Sequence, residues 1–293
     1  MKQIIYKLCL FVVIMLSINA ASQPITITIK ANYSNTVTIY HDEPLLLTVS
    51  LTNKVAQENS RWNRAADRRL NELEELLKEN KITREAYDKE RNTLLGGKRS
   101  LEFATVGKMG KPWSSMIKWK LINTNSGTEE MLNVKKMVNP SSEDVAVLND
   151  KGYYTAYFGL DADEMKKIAA GSYEIIAETE NEKSKPVVMT LKNETMPAAI
   201  AGNEEMLLKN GQYYWHAGDA ERGMSYADKL LQKNPASVNG LSLKGDLQVM
   251  SNSYLQALDS YNMALKEFYK QNPGLTEPPE YLLGMIEWLK GQK

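Results

Sequence analysis

Cysteine and histidine are nearly missing from this chain. Cys9 stands alone, inside a leader that is expected to be removed. A processed chain could then form no disulfide, thiolate metal site or cysteine nucleophile. The two histidines, His41 and His216, fall in different expected domains, so a zinc set would have to recruit distant carboxylates. An excess of one charge is lacking too, with 36 basic side chains against 36 acidic ones. Nucleic acid and anionic membranes both require a basic excess on one face, so neither is expected as a partner. The Gly-x-Ser-x-Gly elbow of hydrolases is absent, and Gly96-Gly97-Lys98-Arg99-Ser100 lacks the spacing of a phosphate-cradling loop. Paired carboxylates remain possible among 36 acids, because their pairing is spatial. The expectation is a protein with no catalytic residues, no metal and no cofactor.

The chain opens on a charge–apolar–small pattern. Lys2 and Lys7 come first, Leu8 to Ile18 is apolar apart from Ser17, and Ala20-Ala21 offers small residues for cleavage. Such an order marks a secretory signal peptide. The run is too short for a spanning helix, which takes about 17–25 residues. Residues 1–22 are therefore expected to be removed, leaving an exported chain, periplasmic or extracellular, with no membrane insertion.

Alternation then takes over. Ile25, Ile27 and Ile29 alternate with threonines, and Thr36 to Tyr40 repeats the pattern. After the turn at Asp42-Glu43-Pro44, Leu45, Leu47, Val49 and Leu51 face one way, while Thr48, Ser50 and Thr52 face the other. Ile117, Trp119 and Leu121 make another such set, as do Tyr154, Ala156, Phe158 and Leu160. Further strands open at Gly171 and Pro186. Period-two patterns with turn signals and no helical crossovers predict an antiparallel β-sandwich.

Asp42 to Asn53, Trp119, Gly171 to Ala177 and Ser184 to Leu191 together resemble an immunoglobulin-like domain over residues 23–193. The resemblance implies that Trp119 is the core tryptophan of a central strand. It also implies that the Tyr173 hydroxyl ties back to nearby backbone. Val49 and Ile175 stand where antibody domains carry bridging cysteines. A glycan-binding or protease-inhibiting role for such a domain, through loops such as Gly107 to Trp113, is the alternative functional reading.

Within that domain lies a helical insertion, about 55–99. Trp62, Ala65, Ala66, Leu70, Leu73, Leu76 and Leu77 follow helical spacing. A break at Asn80-Lys81 and a cap at Thr83 lead into a second helix that Gly96-Gly97 stops. The pair resembles the short helical hairpins (SHOCT-like) found at bacterial chain ends, which implies a docking or oligomerisation element. Arg61, Arg64, Arg68 and Arg69 crowd the first half of the long helix, and Glu72, Glu74 and Glu75 the second. That order opposes the helix dipole, and fits either a solvated face or a docking one. Asp161-Ala162-Asp163-Glu164 reads as a capping box rather than a calcium loop, because Met165 and Lys166 stand where a loop needs an oxygen ligand and a glycine.

The C-terminal quarter repeats itself. After a linker at 194–202, Gly211 recurs as Gly245, Gly223 answers Ala257, Ala227 answers Tyr261 and Leu230 answers Ala264. The 34-residue period, closed by Asn234-Pro235 and Asn272-Pro273, resembles a pair of tetratricopeptide repeats over 203–293. A final helix after Pro278-Pro279 would cover the open end. The resemblance implies an α-solenoid, with Gly211 and Gly245 where paired helices touch. Trp215, His216, Glu205, Leu208, Gln212, Asn239, Ser242 and Asp246 would then share the concave face, and Tyr214 would pack between helices. Aromatic anchors in grooves concentrate binding energy. Trp215 has two possible jobs, binding a partner or plugging the joint between domains. The lysine and asparagine clamp by which some tetratricopeptide domains hold a terminal carboxylate is missing. The expected function is non-catalytic binding of another protein or peptide, as a scaffolding module of the bacterial cell envelope.

Cleavage is predicted close to Ala20–Ser22. N-terminal sequencing of the native protein should start there, and an intact Met1 would refute it.

Overall fold

Strict alternation decides where the N-terminal strands put their side chains. A computed structural model of the chain describes residues 25–99, 101, 104–107, 111–139, 145–149 and 152–292. The expected signal segment lies outside them. The architecture is mixed, with sheets in the N-terminal half and helices in the C-terminal half.

One sheet has the order β1-β3-β9-β7, formed by Thr26–Ala31, Leu45–Thr52, Tyr153–Leu160 and Lys135–Lys136. The second runs β2-β11-β10-β5-β6, formed by Thr36–Tyr40, Val187–Lys192, Gly171–Glu178, Lys118–Asn123 and Glu129–Met131. A small pair, β4 (Ala104–Val106) with β8 (Ala146–Leu148), forms a third sheet that adds to the core shared by the two large sheets. The alternating residues of both large sheets meet in one hydrophobic core, Leu45, Leu47 and Val49 from the first and Trp119, Ile175 and Met189 from the second. Trp119 is buried there, edge-on to Phe158 of the other sheet at 5.2 Å. Tyr173 donates its hydroxyl to the Ala169 carbonyl at 2.6 Å, a tie to nearby backbone.

One pairing corrects the expectation of an all-antiparallel region. β2 lies parallel to β11, with Thr36 opposite Val188 and Tyr40 opposite Lys192. Alternation specifies which face a residue takes but not strand direction, and nearly the whole N-terminal half separates these two strands. A crossover of that length permits parallel pairing.

The insertion forms two helices. α1 (Lys54–Lys78) begins well before Trp62, capped by Asn53, whose side chain accepts from the Ala56 amide. α2 (Arg84–Gly96) is capped by Thr83. The two are laced together at their surfaces. Asn63 and Arg99 exchange two hydrogen bonds, Arg69 pairs with Glu90 at 2.8 Å, and the Arg99 guanidinium lies over the Trp62 ring. Part of the crowded charge is thus satisfied within the hairpin. The Asp161 capping box is present, opening the short α3 (Ala162–Met165).

Residues 194–202 contain α4 (Ala198–Ala201), and Met196 is buried with Tyr40 and Met206. There follow α5 (Glu204–Ala217), α6 (Ala220–Lys233), α7 (Val238–Met250), α8 (Tyr254–Gln271) and α9 (Glu280–Lys290). Asn203, Asp219 and Ser237 each cap the helix they precede. Each helix packs on the next, and α5 also touches α7. Close approach requires the glycines spaced 34 apart. A Cβ on Gly211 would lie 2.6 Å from Leu243, and one on Gly245 would lie 2.8 Å from the Tyr261 ring. Among the described residues, no helix is long and apolar enough to cross a membrane.

Because the hairpin's ties run mainly between its own two helices, replacing Val55–Arg99 with a short Gly/Ser linker should leave the sheets folded. Halving or doubling a loop changes closure entropy by only about 0.6 kcal/mol. The deletion variant should melt cooperatively; a broad, non-cooperative trace would make the hairpin part of the core.

Candidate functional site between the sheets and the helices

The outer face of the first sheet is not free. Leu46 points away from the β-core yet is 2% exposed, because it packs with Met137 and Tyr213 of α5. Gly159 lies in the same contact, and a Cβ there would stand 2.8 Å from the Tyr213 ring. Nearby, Lys209 of α5 reaches Glu43 at 2.7 Å, with the Glu43 side chain 1% exposed. Burial pushes the Glu43 carboxyl up, while Lys209 pulls it down. Removing one partner from such a buried pair typically costs about 3–5 kcal/mol.

His216, in the last turn of α5, closes the joint. Its Nδ1 lies 2.7 Å from the Asn139 carbonyl, which can only accept, so Nδ1 carries the proton. Nε2 is then bare and accepts from the Tyr33 hydroxyl at 3.0 Å. The ring stacks on Tyr157 of β9 with centroids 4.0 Å apart. The His216 carbonyl in turn accepts from the amides of Val138 and Asn139. Burial holds the imidazole down at about 4, so it is neutral at physiological pH. Tyr33 reaches it from a tight turn in which Asn32 and Tyr33 have φ of 45° and 64°. The left-handed region is costly for bulky residues, by about 1–2 kcal/mol each. The turn is held there by the paired Ala31 and Ser34 hydrogen bonds and by Asn32 bonded to Leu46.

Beside this joint is a cavity of about 330 Å³. Gln212, Trp215 and His216 of α5 line it, as do Asn239, Ser242 and Asp246 of α7. The structure therefore brings together six of the eight residues expected on the concave face. Of the other two, Leu208 packs against Ala227, Leu243 and Leu247 between helices, and Glu205 is exposed and does not line the cavity. Tyr214 stacks on Tyr226 of α6. Trp215 is half-buried against that same interhelical cluster and edges onto His216. The side chains that plug the joint are its neighbours Tyr213 and His216. His216 borders the cavity but is 3% exposed, and both its ring nitrogens are engaged.

Sequence reasoning missed Tyr33 and Tyr157, which wall the cavity from the sheet side, and the role of Tyr281. Asp246 Oδ1 accepts from Tyr261 at 2.5 Å and also from Tyr281. Burial pushes the Asp246 carboxyl up to about 6 against the pull of those two hydroxyls. Burial and the adjacent carboxylate raise both tyrosines. Among the described residues no group of three or more His, Cys, Asp and Glu side chains is placed to hold a metal ion. Of the alternative loop, residues 108–110 lie outside the described set, and Trp113 is fully buried. Comparison with protein-family models, curated proteins and solved structures gives no match for the chain.

The titrations of His216 and Asp246 oppose each other. His216 falls below its ordinary 6.5, so its contribution is present above that value and is lost as pH falls through about 4. Asp246 rises above its ordinary 3.8, so its contribution is present below that value and is lost as pH climbs through about 6. In the native chain the slopes partly cancel. His216→Gln should unmask the second. Measured by denaturant unfolding, the stability gap between the native chain and His216→Gln should shrink by about 3 kcal/mol between pH 7 and pH 4. A gap independent of pH would mean that His216 is not held neutral.

Proposed function

We propose that this chain is a non-catalytic, exported binding module of the bacterial envelope, and that its cavity receives a segment of another protein. In this reading residues 23–193 are an immunoglobulin-like sandwich carrying a helical hairpin, and residues 203–293 are tetratricopeptide-like repeats. Two sheets sharing one core, the buried Trp119 and the Tyr173 tie support the first assignment. Helices packed in series, with glycines 34 residues apart at the close contacts, support the second.

The observation that carries the functional reading is the convergence of Gln212, Trp215, Asn239, Ser242 and Asp246, from two helices, on one cavity walled by sheet-borne tyrosines. Aromatic rings beside a few polar groups in a concave surface are the usual composition of a ligand site. The buried joint behind it supports a preformed cleft, which lowers the ordering cost of binding. A glycan could also use the aromatic walls and amides, placing the ligand at the cavity rather than at the 107–113 loop.

Two truncations separate binding from architecture. Trp215→Ala should remain folded and weaken capture of its partner from envelope extract by about 2 kcal/mol or more. Tyr213→Ala, facing the sheet, should instead cost about 3–5 kcal/mol of stability. Normal partner affinity in a folded Trp215→Ala protein would remove Trp215 from the binding surface.

A further inference from the structure

Among the described residues, the cavity has one charged side chain and none of opposite sign to balance it: Asp246 is the one carboxylate that lines it, and no lysine or arginine does. Its Oδ1 already takes the hydroxyls of Tyr261 and Tyr281, whereas no described group donates to Oδ2. The rings of Tyr33, Tyr157, Trp215 and Tyr281 line the same cavity. Ring faces attract cations, and more strongly once water is excluded. A half-buried carboxylate with one open oxygen, aromatic walls in the same cavity and no counter-ion complements a positive charge.

We propose that the cavity takes the ammonium of a lysine side chain on a bound polypeptide, with Asp246 Oδ2 as its anionic partner. This rests on the protein-binding reading above and narrows it to one chemistry. The choice of ammonium over guanidinium follows from the hydrogen bonds. A guanidinium fork wants both carboxylate oxygens, and Oδ1 is occupied. An ammonium is a point charge with three donors. One can go to Oδ2 and the others to nearby acceptors. Ser242 Oγ donates to the Val238 carbonyl, which leaves its lone pairs free. The Gln212 and Asn239 amides make no hydrogen bond within the described residues. Val238, Leu243 and Leu282 give the cavity an apolar side, suited to the four-carbon stem that lysine lays along such surfaces.

The test titrates the full chain calorimetrically with the peptide acetyl-Gly-Gly-Lys-Gly-Gly-amide. Its arginine and norleucine counterparts and cadaverine are the comparisons. The lysine peptide should bind, and the norleucine peptide should bind about tenfold or more weakly, as should the lysine peptide to Asp246→Asn. That variant keeps Oδ1 for the two tyrosines. Should it fail to fold, acidifying the native protein from about pH 7 to about pH 5 should weaken the lysine peptide likewise, as Asp246 protonates. Tyr261 and Tyr281 bond Asp246 from α8 and α9, and Tyr33 and Tyr157 line the same cavity from the sheet. Each has its phenol pushed upward, and His216 is held down at about 4, so none of them titrates in that interval.

Equal binding of the norleucine peptide, unchanged affinity in Asp246→Asn, or no binding of the lysine peptide overturns the proposal. Tighter binding of the arginine peptide overturns the choice of ammonium. Cadaverine binding as well as the peptide overturns the polypeptide source. Loss of partner affinity in Trp215→Ala with none in Asp246→Asn would defeat the ammonium site and leave the binding reading standing; no loss in either variant defeats both.

Discussion

A neutral imidazole, His216, ties three segments of the sheet region to the end of α5, beside the cavity. The ring gives its one proton to the Asn139 carbonyl and accepts one from Tyr33, so both nitrogens are satisfied without any charge. Stacking on Tyr157 fixes the plane of the ring. Three sheet-region segments, the turn after β1, strand β9 and the stretch around residue 139, are thereby referenced to the end of one helix. Trp215 is the preceding residue and Gln212 lies one turn earlier, so the orientation of the cavity wall is inherited from the joint. A protonated ring could not accept from Tyr33, and the joint would lose its longest-range hydrogen bond.

The regions are also joined by charge at Glu43, and the carboxylate that lines the cavity, Asp246, is treated differently. Glu43 is buried at the joint with Lys209 against it. Asp246 is given two hydroxyl hydrogen bonds and no cation. Desolvation disfavours the ionised form of both. A carboxylate left without a counter-ion beside a cavity is a cost to folding that a complementary ligand can relieve, and sites of function are where such costs are commonly tolerated.

Most strand faces were legible in the sequence, because alternation in Leu45–Thr52 and Tyr154–Leu160 translates directly into burial. The helices were legible from their period and their caps. Strand direction was not, and the parallel pairing of β2 with β11 could not be read from side-chain pattern. The cavity was half legible. A 34-residue period projects Gln212, Asn239, Ser242 and Asp246 onto one face, but it places Leu208 there too, where packing between helices claimed it. The sheet-side wall had weaker signals. Leu46 breaks phase between Leu45 and Leu47, and Tyr157 sits on the wet face of its strand. Both are signs of a second covered surface whose partner lies far along the chain. Tyr33 carried no signal, because its position depends on a left-handed turn that few bulky residues adopt.

Gly159 gives the joint a property of its own. It sits on the outer face of β9, where the alternation of the strand would admit almost any residue, and its core-facing neighbours Phe158 and Leu160 do the work of the sheet. Yet the space a side chain would need is filled by Met137 and Tyr213. Substitution there leaves the strand's own preferences nearly untouched, while even a single methyl group would force the Tyr213 ring, at the joint with α5, and the end of Met137 to shift. Mutational tolerance along this chain therefore need not follow burial of side chains. One of its least replaceable positions has no side chain, and variation there would be filtered by what the interregional seam can accommodate rather than by either region's capacity to fold.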